Sequence, residues 1–389
     1  MRCVSCKGRG LCGRPICPII KRFEKISALP RIGNSLEGYS PPEVFVGRHN
    51  YPLVRAGPMI PAVEVEKPSL DMDIGEIITL RSSMIRSEAR VGVNEATAPG
   101  KILEACQQVA MSSVPVGTEI SFLKPPKSWL QFDGVLAPSG PTGELKGIDI
   151  TTNPFVPRKV DQIVEDNHTG AAASVGELYS SGIGTDHISR LLSLGLLGRK
   201  RKLVPTRWSI TASDDIIGKQ LRDSILDMST VSDYFLYSGE GLGNHFEILL
   251  LPRDYSFELI EIWMQRSVWS QEGWIGSDSE DQCGKKGYSP LSGGYYAARL
   301  AVLEHLARQG KQSAIIAIRE ISEKYWAPLG VWVVRDVARA AMNSAPQRFS
   351  TLNEALGEMS KRLKTPSNEW RSYSKLISGT VQSRLSNFF

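Results

Sequence analysis

The sequence has no apolar run long enough to span a bilayer, so it offers no transmembrane helix. Its opening, MRCVSCKGRG, lacks the apolar core of a secretory signal, so the chain is expected to stay inside the cell. It also lacks a G-x-x-x-x-G-K-[ST] phosphate loop, a G-x-S-x-G elbow, an H-E-x-x-H helix and a dinucleotide fingerprint. Those absences leave the commonest nucleotidase, hydrolase and metalloprotease readings without support. No internal repeat is present, which excludes a solenoid. Histidine is scarce: five residues, at positions 49, 168, 187, 245 and 305, with no catalytic spacing. Cysteine is scarce too, six in all, and in a non-secreted chain these read as thiols or metal ligands before disulfides.

What cysteine there is lies mostly in one place. Cys3, Cys6, Cys12 and Cys17 form C-x2-C-x5-C-x4-C within the segment CVSCKGRGLCGRPIC. Two thiolates at C-x2-C spacing reach one ion, and a second pair closes a tetrahedral site. Gly8, Gly10 and Gly13 permit the tight turns of so small a knuckle. A segment this short buries no core of its own, so a metal would supply its folding energy. The expectation is one zinc per chain, and an iron–sulfur cluster would use the same ligands. Cys106 and Cys283 stand alone and read as ordinary thiols.

The net charge of +5 is modest, but its distribution is uneven. Residues 1–60 hold ten Lys or Arg against three Asp or Glu, a local excess of seven. A second cluster, RKRK at residues 199–202, has Arg207 close behind it. Basic clusters on a near-neutral body suit a local polyanion site or a solvated loop. Arg48 and His49 sit in the Pro/Gly-rich strap and would suit a phosphate, as a packed connector would also carry them. Thr206, Arg207, Trp208 and Ser209 read as a nucleotide cradle. Arg207 would fork onto a phosphate, Trp208 would stack on a base, and the two hydroxyls would donate. In the alternative, Trp208 is core and Arg207 bridges to Asp214 or Asp215.

The periodicity predicts a mixed α+β chain without regular βαβ alternation. The expected organisation is a four-cysteine knuckle at residues 1–26, a strap at 27–68, a mixed sheet-and-helix body of one or two domains at 69–365, and a C-terminal helix with a flexible tail at 366–389. DIGEIITL and GTEISFLK alternate like strands, and APGKILEACQQVAMSS reads as a helix. Thr185 or Asp186 would cap a short helix bearing Ile188, Leu191 and Leu192, with Gly195 as its stop. KLVPTRWSIT reads as a strand and Ser213 as the cap of the helix after it. NHFEILLLPRDYSFELIEIWM reads as a two-stranded hairpin turning at residues 252–255, and a helix begins near Tyr295.

The last nine residues, VQSRLSNFF, place Gln382, Leu385, Phe388 and Phe389 in the order Q-x-x-[aliphatic]-x-x-[aromatic]-[aromatic]. This resembles the PIP box by which replication and repair proteins bind the PCNA sliding clamp. One tight turn would gather the three apolar side chains into a plug, with Gln382 bonding beside it; the alternative is that the rings dock into the chain's own core. The cysteine segment, the stretch RKLVPTRWSITASDD and this tail together resemble the archaeal NreA family of DNA repair proteins over the whole chain. The resemblance implies a repair role, metal at Cys3, Cys6, Cys12 and Cys17, and clamp binding through the tail, in the archaeal cytoplasm with the nucleoid. It does not supply a reaction. A non-catalytic binder of damaged or single-stranded DNA, a hydrolase removing 5′-adenylate from DNA ends, and a clamp-linked scaffold all stay open. An enzyme would use His187 or His245 as general acid or base and would take an adenine nucleotide as ligand.

Overall fold

The computed structural model describes residues 6, 8–11, 17, 20, 32–61, 68–127, 140–265, 267 and 272–378. The chain divides into two compact units. The first comprises Pro15–Pro68 and Gly75–Ile217; the second comprises Met1–Arg14, Ser69–Ile74 and Gly218–Phe389. The α+β reading holds for both, since each is built on a six-stranded mixed sheet with helices.

The first unit contains β1 (Ser35–Ser40), β2 (Val44–Val46), β3 (Leu53–Pro61), α1 (Ile74–Ser83), β4 (Met84–Gly92), α2 (Lys101–Met111), β5 (Val116–Phe122) and β6 (Thr142–Ile150). Helices α3 (Arg158–Glu165), α4 (Ala171–Ser180) and α5 (Thr185–Ser193) follow, then α6 (Thr206–Ile225), inside which the division between the units falls. The strand order is β1-β5-β6-β4-β3-β2, antiparallel except at β4–β6. Ile60, Ile85, Ile120, Phe122, Leu145 and Ile148 form its core with Ala105 of α2. The α2 and β5 expectations are met. DIGEIITL is a helix, α1, instead of a strand. Its buried residues Ile74, Ile77 and Ile78 recur at helical spacing, and the apparent alternation came from one exposed acid, Glu76, between them.

The expected strand over KLVPTRWSIT is also a helix. Pro205 ends the preceding segment, and its carbonyl accepts from the Trp208 and Ser209 amides at 2.7 and 3.0 Å. The buried stripe of α6 runs through Ser209, Ser213, Asp214, Ile217 and Ile225, helical spacing whose first half, from the predicted strand onward, is written in polar residues. A hydrophobicity pattern cannot show that half, and Ser213 lies inside the helix instead of capping one. In α5, Ile188, Leu191 and Leu192 are buried as expected, but Gly184 occupies the cap position. Gly195 follows this helix at φ +65°, where a Cβ would lie 2.6 Å from Ala96 Cβ. Only glycine fits that turn.

The second unit holds β7 (Tyr234–Gly241), β8 (Asn244–Leu251), β9 (Ser256–Trp263), β10 (Trp274–Glu280), α7 (Gly293–Gln309), β11 (Ala314–Ile321), α8 (Trp332–Met342), β12 (Gln347–Phe349), α9 (Leu352–Arg362) and α10 (Ser367–Arg371). Its strand order is β10-β9-β11-β8-β7-β12. Strands β8 and β9 exist where expected but do not pair as a hairpin. β11 lies between them, antiparallel to β8 and parallel to β9. All eight residues of β11 are buried, so it needs a neighbour on each side. Gln312, just before it, accepts from the Tyr255 amide at 3.0 Å and donates to the carbonyls of Leu226 and Met228 at 2.7 Å each. That side chain ties the 252–255 connection over the sheet end. On one face Leu236, Leu249, Ile260, Ile316 and Ile318 pack with Leu356, Met359 and Trp370.

Candidate nucleic-acid interface

Two segments far apart in sequence meet on the first unit. The amide of Val46, at the end of β2, donates to Thr206 Oγ1 at the start of α6 at 2.8 Å, across 160 residues of chain. The tip of the β2–β3 hairpin is held on every side by backbone bonds. The Gly47 amide donates to Arg55 O at 2.7 Å, the Leu53 amide to Asn50 O at 2.9 Å, and the Val93 amide to Pro52 O at 3.0 Å. Asn50 takes φ +63°, a conformation asparagine tolerates better than most residues. On the helix side, the Val204 amide donates to Ser193 O and Ser193 Oγ to Val204 O, both at 2.8 Å.

This scaffold puts Arg48, His49, Tyr51, Arg207 and Trp208 at the surface. Tyr51 is 48% exposed and Trp208 46%. Their ring centroids are 5.5 Å apart with the planes tilted by 52°. The side chains of Arg48, His49 and Arg207 form no hydrogen bond or ion pair with any described residue, so Arg207 does not bridge to Asp214 or Asp215. Thr206 and Ser209 have different work. Thr206 joins the hairpin to the helix, and Ser209 is fully buried with its hydroxyl donating to Thr206 O at 2.9 Å. Of the RKRK cluster, Arg199, Lys200 and Lys202 are exposed, and Arg201 turns inward onto the carbonyls of Val164, Asp166 and Gly198. The first turn of the twenty-residue α6 adds the positive end of a helix dipole. Sequence reasoning missed Tyr51. The available signal was an aromatic residue closely following Arg48 and His49 in a turn.

The two histidines expected to transfer protons sit in different surroundings. His187, in the first unit, is 8% exposed, and its Nε2 lies 3.1 Å from Met111 O. Burial, reinforced by the Arg190 charge, drives its pKa down to about 4. It is therefore neutral near pH 7 and donates to that carbonyl. His245, in the second unit, is partly exposed, and its Nε2 lies 2.8 Å from Glu247 Oε1. Glu247 is fully buried, and Ser238 Oγ donates to the same oxygen at 2.6 Å. Other buried carboxylates of this unit hold structure. Glu280 receives Tyr255 OH and Arg299 at 2.7 Å each. Glu320 receives the Lys364 and Thr365 amides.

Of the four clustered cysteines, Cys3 and Cys12 lie outside the described residues, as do Gln382, Leu385, Phe388 and Phe389 of the tail. Among the described residues no group of three or more His, Cys, Asp or Glu is placed to hold a metal. Cys6 itself is suited to one. Its sulfur accepts the Leu11 amide at 3.2 Å, and Gly8 and Gly10 take φ +83° and +77° around it. Burial raises its thiol pKa, but the amides of Leu11, Gly8, Gly10 and Arg9 outweigh that and hold it below the usual range. A sulfur ringed by amides is prepared to carry the negative charge that a metal ligand needs.

Comparison with known proteins places the chain in a family. Residues 11–270 match the model of the archaeal Nre N-terminal region, and residues 280–388 match that of the archaeal Nre C-terminal region. The DNA repair protein NreA of Archaeoglobus fulgidus is 39% identical, with 100% of this chain and 99% of that protein covered. The DNA repair protein NreB of the same organism is 34% identical over 100% of both. The DNA repair protein NreA of Haloferax volcanii is 34% identical over 89% of this chain and 87% of that one. No solved structure matches. No helix among the described residues is long and apolar enough to cross a membrane.

Proposed function

The chain belongs to the archaeal Nre family, and from that premise we propose that it is a DNA repair factor brought to DNA by the PCNA sliding clamp. The observation that carries the repair role is identity of 34 to 39% to proteins named for DNA repair, across nearly the whole chain, and the clamp part of the proposal rests on the order of Gln382, Leu385, Phe388 and Phe389. Phe388, Phe389, Leu385 and Gln382 would plug into the clamp. Cys3, Cys6, Cys12 and Cys17 would hold one zinc ion, supported by the amide ring around the Cys6 sulfur. Zinc there would fix the knuckle's fold and offer its basic residues to DNA. Arg48, His49 and Arg207 would take phosphates, with Trp208 beside them, and Thr206 and Ser209 would hold that surface in place.

The test is a titration of the full-length protein with labelled DNA at several salt concentrations, with and without PCNA. Affinity is expected to fall steeply with salt. PCNA is expected to bind the wild type and not the Phe388→Ala, Phe389→Ala variant. A protein that binds neither DNA nor PCNA would refute the reading.

His245 supports a second reading, an enzyme that hydrolyses adducts at DNA ends such as a 5′-adenylate. Its ring is held through Nε2 by a buried carboxylate, the arrangement that orients a general acid or base. Incubating 5′-adenylated DNA with wild type and with His245→Ala tests it. Release of AMP by the wild type and not by the variant is the expected result, and no release by either rejects it.

A further inference from the structure

Tyr51 and Trp208 are two aromatic rings left about half exposed on the first unit, where two segments 160 residues apart are stitched together. Exposed aromatic area of this kind lowers solubility unless something uses it. The rings do not satisfy each other. At 52° they are neither stacked nor edge-to-face, so each keeps ring surface for a third flat group. The chain on either side supplies cations. Arg48 precedes Tyr51 with the hydrogen-bonding ring of His49 between them, Arg207 precedes Trp208, and none of these three side chains has a partner among the described residues. No Asp or Glu occurs in residues 45–54 or 198–212, so the aromatic pair stands in segments of purely positive charge.

Aromatic faces beside unpartnered cations fit a flat, anionic ligand. We propose that Tyr51 and Trp208 form a base-stacking step for an unpaired nucleotide, so that this surface prefers single-stranded over duplex DNA. This rests on the reading that the surface contacts DNA, and adds which form of DNA it selects. In a duplex the base faces are covered by their stacked neighbours, so an aromatic ring finds no open face to lie against. In a single strand one base can leave the stack and lie against a ring, while the flanking phosphates meet Arg48 and Arg207. Thr206 is a positioning residue, since its hydroxyl fixes the hairpin tip that carries Tyr51 against the helix start that carries Trp208.

The experiment measures binding of the full-length protein to a short oligothymidylate strand and to a blunt duplex of equal length. Wild type is compared with Trp208→Ala, Trp208→Phe, Tyr51→Ala and Arg207→Ala, each checked for an unchanged melting temperature. Trp208→Ala is expected to weaken single-strand binding by roughly five- to a hundredfold, the usual range for losing one stacked base, with little change for duplex. Tyr51→Ala should act in the same direction, and Trp208→Phe should restore most of the loss. Arg207→Ala should weaken both forms and flatten the salt dependence. If Arg207→Ala weakens both forms while the aromatic variants leave the single-strand to duplex ratio unchanged, the stacking step is overturned and the DNA-binding reading stands. If the wild type binds neither form, both fall.

Discussion

Thr206→Val tests whether one hydroxyl holds the candidate interface together. Valine keeps the volume and the branching of threonine, so packing changes little. What is lost is the oxygen that accepts the Val46 amide at 2.8 Å. Val46 is 1% exposed, so water does not readily replace the acceptor. An orphaned buried amide costs about 1–3 kcal/mol. Thr206 Oγ1 also lies 3.4 Å from Ser193 Oγ, but Ser193 keeps its stronger bond to Val204 O, so the loss there is small. We expect about 1–2 kcal/mol in total, which lowers the melting temperature by roughly 2–8 °C. Thr206→Ser keeps the acceptor and should stay within about 0.5 kcal/mol of wild type. The assays are thermal unfolding followed by circular dichroism and hydrogen exchange at the Val46 amide. Single-strand affinity should fall further in Thr206→Val than in Thr206→Ser, because the hairpin tip loses its anchor. A Thr206→Val protein with wild-type stability and unchanged exchange at Val46 would refute the reasoning.

His187 should make stability fall in mild acid. Its folded pKa of about 4 lies below its ordinary 6.5, so the unfolded chain takes up the proton first. The stability is complete above pH 6.5 and is lost as pH falls toward 4, by about 1–2 kcal/mol once solvent screening is discounted. His187→Gln can still donate to Met111 O and should flatten that dependence in urea melts; equal pH slopes for the two proteins would contradict it. Metal analysis of purified wild type should find about one zinc per chain, absent from Cys3→Ser, Cys6→Ser, and metal-free wild type would reject the knuckle. Glu320→Ala should cost roughly 2–4 kcal/mol, because the buried carboxylate accepts the Lys364 amide, the Thr365 amide and the Thr365 hydroxyl at 3.1, 2.8 and 2.7 Å. A urea midpoint close to wild type would show that the segment is held some other way.

Segments whose buried face is apolar could be located from sequence. α2, β5, α7 and the two long strands β8 and β9 stand where periodicity put them. The failures share a cause. α6 buries Ser209, Ser213 and Asp214 in its first half, so a hydrophobicity pattern does not show the stripe there. α1 sets one acid among isoleucines at a spacing that suits either structure over so few residues. The β8–β9 hairpin failed for a different reason. No local signal announces that β11, from far later in the chain, will insert between strands that are neighbours in sequence.

The interface divides in the same way. Sequence alone put arginine, histidine and tryptophan in two basic segments, because those residue types carry their chemistry wherever they lie. It also determined the cysteine spacing and the apolar tail, which depend on neighbours a few residues away. Only the tertiary structure decided that residues 48–51 and 207–208 share a surface, that Tyr51 joins them, and that Thr206 and Ser209 are occupied within the scaffold. Those facts rest on a hydrogen bond spanning 160 residues, on the Tyr51–Trp208 ring contact and on burial, and none of these is a property of a local stretch of chain.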